Sequence, residues 1–272
     1  MKVFISADME GVAGVVDWEQ CRPGGAGYEV GCRLLLGEVN AAIDGALAAG
    51  ATAVTVTDAH GLMANLAPDG VGGGASYRSG RSEPDYMMAG LDTSYDVILF
   101  VGYHGSMPAP SVLSHTYNPR AVGDARIGGV RAGESGINAL AAAGHGVPVA
   151  VITGDQYVGP EAEPFCPGIE AVVVKRSLGR ESAESVHPET ARGRIRDGVT
   201  AALARLSELS PPPVRGDLEV DLLTTDMAVL AARVRGVERT AERTVSIATG
   251  DPLEAYRSFT AAIAITRGLS TS

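Results

Sequence analysis

A mostly parallel α/β sheet flanked by helices, with a small C-terminal α+β unit, is the fold class this sequence predicts, and three observations carry it. Runs rich in β-branched and aromatic residues alternate with amphipathic stretches through the first two-thirds of the chain. The run Asp-Val-Ile-Leu-Phe-Val at 96–101 is almost wholly apolar, as a strand covered on both faces requires. Pro211, Pro212 and Pro213 then separate this alternation from a shorter second one.

Taken in order, residues 2–7 form the first strand. Residues 29–49 place Leu35, Val39, Ile43 and Leu47 at helical spacing and stop at Gly50. Strands over 51–57 and 96–101 follow, then a helix over 134–143 ended by Gly144, and strands over 147–153 and 171–175. A long helix over 187–209 takes Pro188 in its first turn, where the missing N–H has no partner to lose. Beyond the prolines, strands over 218–223 and 244–248 are each followed by a helix, over 225–234 and 252–266. The expected division is a main α/β domain over 1–210 and a small α+β unit over 214–272. The glycine-rich 70–75 stretch follows no strand and precedes no helix, so it is expected to be a flexible loop rather than a phosphate cradle.

Composition narrows the function. The 272 residues are 45% hydrophobic and 20% charged, which suits a folded globular protein. A net charge of −10, from 22 basic and 32 acidic residues, argues against nucleic-acid binding, which needs clustered Lys and Arg. Neither a secretory leader nor a membrane-length apolar run is present, so a cytoplasmic protein with no membrane partner is expected. Cys21, Cys32 and Cys166 lack paired spacing and are expected to be idle thiols.

The acids and histidines gather at strand ends. Asp8 and Glu10 follow the first strand, Asp58 and His60 the second, and His104 the third. In a parallel sheet these ends share one edge, where open α/β folds bind their ligands. Carboxylates and imidazoles together suit zinc or a similar divalent ion. Singly, each has a plainer explanation as a cap or turn residue; the convergence is the argument. Asp58 is expected to orient His60 from behind. Glu134 opens a helix after a glycine, which fits either a ligand or a first-turn acid favoured by the helix dipole. His115 lies in a loop after Pro108 and Pro110 with no partner at metal spacing, which suits a free imidazole that moves protons. Asn118 and Asn138 fit either a substrate contact or a turn or cap. His145 and His187 read as structural.

The motifs Ser6-Ala-Asp8-Met-Glu10-Gly11, Asp58-Ala-His60, Gly102-Tyr103-His104, Ser114-His115 and Gly133-Glu134-Ser-Gly136-Ile-Asn138 occur in this order. Together they resemble the D-aminopeptidases of the M55 metallopeptidase family, and the resemblance runs along the whole chain. It implies two zinc ions per chain, with Asp8 bridging them and Glu10, His60, His104 and Glu134 completing their shells. It implies that His115 is the catalytic residue, for which general acid–base work is the preferred role. It implies a ring-shaped homodecamer and a small peptide or amino-acid amide as substrate, without fixing D or L configuration. The alternatives are a general metal-dependent amidase, a two-metal phosphoesterase and a catalytically silent scaffold. No Arg or Lys accompanies the motifs, which counts against phosphate handling.

Overall fold

The computed structural model describes residues 1–80 and 84–269; positions 270–272 of the expected C-terminal unit lie outside them. Six parallel strands form the main sheet: β1 (Lys2–Ala7), β2 (Ala53–Asp58), β3 (Ala75–Arg78), β4 (Val97–Val101), β7 (Val149–Gly154) and β8 (Glu170–Val173), in the order β3-β2-β1-β4-β7-β8. Strand order reverses beside β1, where the chain winds outward to β2 on one side and to β4 on the other.

The two-residue period of a strand explains why β4 is apolar throughout. Val97, Leu99 and Val101 enter one core with Val3 and Ile5, against helices α1 (Tyr28–Ala48) and α4 (Pro188–Ala204). Ile98 and Phe100 enter the other with Phe4. That second core is closed by α2 (Glu134–His145), α6 (Pro252–Thr266) and a five-stranded sheet. On α1, Leu35, Val39 and Ile43 are buried as the spacing predicts, whereas Leu47 at the helix end is 40% exposed.

The second sheet runs β12 (Val237–Arg239), β13 (Thr244–Ile247), β11 (Leu218–Leu222), β5 (Val122–Ile127) and β6 (Val130–Arg131), antiparallel throughout. Its strands come from both sides of the prolines, and Tyr256 and Phe259 of α6 share a core with Phe4 and Phe100. The boundary expected near 210 therefore separates neither a sheet nor a core.

Several expectations shift. The 70–75 stretch leads into edge strand β3, whose side chains are only half-buried or exposed. The 171–175 strand divides: β8 ends at Val173, and Lys175 opens β9 (Lys175–Gly179), which pairs only with β10 (Ser182–Ser185). The long helix stops at Ala204 and continues as a 3-10 turn, Leu206–Glu208. The helix expected over 225–234 is α5 (Thr225–Ala231). A short helix, α3 (Val158–Ala162), follows β7. No helix among the described residues is long and apolar enough to cross a membrane.

Candidate metal centre

Asp8 and Glu10 leave the end of β1, His60 the end of β2 and His104 the end of β4, so one sheet edge presents all four. Two glycines let the β1 and β4 ends approach. Gly102 has φ +74°, and a Cβ there would overlap the Asp8 carbonyl oxygen; one on Gly11 would overlap that of Tyr103. Only glycine fits either place. Glu134 arrives from the second layer, in the first turn of α2, and His115 from the loop between β4 and β5. All six residues are buried, none more than 8% exposed.

Each imidazole uses one ring nitrogen on a backbone carbonyl. Nε2 of His60 donates to the Cys21 oxygen (2.6 Å), Nδ1 of His104 to that of Gly105 (2.9 Å), and Nδ1 of His115 to that of Leu113 (3.0 Å). The opposite nitrogens face the carboxylates. His60 Nδ1 is 3.2 Å from Asp8 Oδ1 and 2.9 Å from Glu10 Oε2. His104 Nε2 is 3.4 Å from Asp8 Oδ2 and 3.5 Å from Glu134 Oε2, and His115 Nε2 is 3.5 Å from Glu134 Oε1. Asp8 thus turns one oxygen to each of two imidazoles. The atoms that could hold a metal fall into three groups, each within 4.8 Å: Asp8, Glu10 and His60; Asp8, His104 and Glu134; and Glu10, His104 and His115.

Asp8 Oδ2 and His104 Nε2 are buried without a hydrogen-bond partner. Buried polar atoms rarely stay unpaired, and here they converge. Three carboxylates and imidazole nitrogens at this spacing fit a divalent cation.

Burial and close charges act on each of these groups. Burial opposes charge on His60, but Glu10 and Asp8 outweigh it and hold the ring well above its usual range. Burial, then the charge of Glu10, pushes Asp8 up to about 7. Burial would raise Glu10, yet His60 holds it well below the usual carboxylate range. His115 moves the other way: burial and the neighbouring His104 lower it, favouring the neutral ring. Its ring stacks on His104 at 4.3 Å between centroids and meets the edge of Trp18 at 5.4 Å.

Asp58 requires a correction. Its carboxylate accepts from the Asn65 amide (2.5 Å), the Asn65 side chain (2.8 Å) and the Leu66 amide (2.9 Å), and does not touch the His60 ring. It fixes the loop through Asn65, which also donates to the His60 carbonyl. The partner that orients the ring is the Cys21 carbonyl, a backbone group with no side-chain signal. Asn138 links Tyr103 and Tyr117 inside the core, accepting from the Tyr117 hydroxyl (2.5 Å) and donating to that of Tyr103 (2.8 Å). Asn118 accepts from the Arg120 amide in a turn. His145 lies in the last turn of α2, and His187 caps α4.

A cavity of about 210 Å³ opens on this cluster, and Trp18, Cys21, Tyr86 and Tyr117 add walls that spacing did not reveal. Arg22 also lines it, so a basic residue does stand near the acids; it is exposed and paired with Glu19. Tyr117, at φ 62°, donates its amide to Glu134 Oε1 (2.7 Å) and aims that carboxylate.

Fold and site together define a metal-dependent hydrolase on a parallel α/β sheet. The family model for M55 peptidases, described as D-aminopeptidase, matches residues 1–261. A D-aminopeptidase of Bacillus subtilis (strain 168) is 32% identical over 268 residues, covering 94% of each chain. A solved structure, described as the Zn-dependent D-aminopeptidase DppA from Bacillus subtilis, a self-compartmentalizing protease, superposes with a TM-score of 0.91 at 31% identity over 97% of each chain. The chain belongs to the M55 peptidase family.

Proposed function

We propose that this protein is a two-zinc aminopeptidase that removes an N-terminal residue of D configuration from small peptides or amino-acid amides. The observation that carries the reading is Asp8, whose two oxygens face His60 and His104 separately and so suit a carboxylate shared by two ions. Glu10 and His60 would complete one shell, and His104 and Glu134 the other. When bound, zinc supplies a Lewis acid for the scissile carbonyl and makes a water acidic near neutral pH. The D preference and zinc as the metal are supported by the descriptions of the family and of the solved relative.

The chain's own residues supply the rest. His115 is held in one tautomer by the Leu113 carbonyl, which leaves Nε2 with a lone pair. That nitrogen takes the proton of the attacking water and returns it to the departing amine as the C–N bond breaks. At about 210 Å³ the cavity lies below the roughly 300–1,000 Å³ typical of drug-sized ligands, which favours one or two residues of substrate.

A homo-oligomer, in the ring-decamer form, belongs to the same reading and is supported by the self-compartmentalizing description of the solved relative. Cytoplasmic residence is supported by the three unpaired thiols.

A substrate panel tests the activity. D-alanyl anilide should be hydrolysed, with the L form, the N-acetylated form and phosphate monoesters turned over at least a hundredfold more slowly. Equal rates on free and acetylated amines would make the protein a general amidase, and turnover of the phosphate esters would overturn the peptidase reading.

A further inference from the structure

We propose that the hairpin β9–β10 positions the metal centre, with Lys175 as the positioning residue that aims Glu10. The hairpin belongs to neither large sheet. Lys175 is 2% exposed, and its ammonium donates to the carbonyls of Glu10, Val12 (3.1 Å) and Val15 (2.7 Å). An ammonium has three N–H donors, so none is left for substrate. Ser185, on the other strand, accepts the Gly14 amide (3.0 Å), and Glu38 of α1 accepts that of Ala13 (2.8 Å). Five backbone groups of the loop after β1 are thereby fixed by three side chains.

The same hairpin holds the loop of His104 and His115. Ser177 accepts the Val112 amide (2.9 Å) and donates to Asp155, which also accepts from Ser111 (2.5 Å). Ser111 in turn accepts the Gly105 amide (2.9 Å), next to His104. The Arg180 carbonyl, in the turn of the hairpin, accepts the Leu113 amide (2.7 Å). Its guanidinium donates to the Ser114 carbonyl (3.0 Å), so Arg180 grips the chain on either side of the carbonyl that orients His115. Two loops from different strands thus share one support. A buried ammonium is costly where an apolar side chain of equal length would fill the space, and here its donors all go to the loop that carries a ligand.

The inference rests on the metal-centre reading above. The test uses the full-length Lys175→Met protein. Hydrogen exchange of the 10–15 amides in chelated protein should be at least tenfold faster than in the wild type, and zinc affinity, by competition with a chromophoric chelator, roughly 10- to 100-fold weaker. A purely structural lysine would lower the melting temperature and leave both readouts unchanged in the folded protein, which would overturn the proposal. If Lys175→Met does not fold, Ser185→Ala decides: faster exchange at Gly14 with several-fold weaker zinc binding supports the proposal, and unchanged zinc affinity overturns it. Absence of zinc binding by the wild type would instead overturn the metal-centre reading, a separate outcome.

Discussion

Tautomer decides which nitrogen each of the three imidazoles turns toward the carboxylates. His60, His104 and His115 each spend one nitrogen on a carbonyl, and the remaining nitrogens meet three carboxylates. His60→Ala and His104→Ala should each lose an ion together with activity. His115→Ala should keep both ions and lose turnover by roughly a hundred- to ten-thousandfold. Because His115 also falls within reach of Glu10 and His104, metal analysis of the three variants is the decisive comparison. Loss of an ion in His115→Ala would make it a ligand. Gly102→Ala should lower both the melting temperature and zinc content, since a Cβ at φ +74° overlaps the Asp8 carbonyl. Asp8, Glu10, His60 and His104 were legible because each closely follows a strand. Glu134, from the second layer, and His115, from the long loop between β4 and β5, follow no strand end closely and needed the motif. The Cys21 carbonyl and Tyr117 amide were not legible, because backbone groups look alike in every sequence.

At the scale of elements, α1 and the hairpin β9–β10 brace the loops that carry the candidate ligands, and α1 does so with a buried acid. Burial raises Glu38 to about 7, although the Ala13 amide and the charges of Lys175 and Arg192 favour its ionised form. A carboxyl raised on folding holds its proton more tightly in the folded state, so its contribution falls as pH rises from about 4.5 to about 7. Glu38→Gln cannot titrate and should gain on the wild type across that window, by up to about 3 kcal/mol. Denaturant unfolding of both proteins at about pH 4.5 and about pH 7.5 measures it, and a constant difference would contradict the account. Elements with an apolar period, such as β1, β4 and α6, were readable from sequence. The β9–β10 strands, Lys-Arg-Ser-Leu-Gly and Ser-Ala-Glu-Ser, carry no such period because most of their side chains are exposed or half-buried, and their task is hydrogen bonding.

Across the whole molecule, a parallel sheet brings together three strand ends that carry the candidate ligands, and a second layer closes over them with α2. The proline boundary misled because sequence marks a change of connection, whereas β5, before the prolines, pairs with β11 after them. In the proposed function, two ions shared through Asp8 make the catalyst. Its most direct test is zinc titration of chelated, tag-free protein, with D-alanyl anilide turnover followed beside bound metal. Metal-free protein should show no turnover, and recovery should be complete only at two zinc ions per chain. Full turnover by metal-free protein, or saturation of activity at one ion with no second site filled, would contradict it.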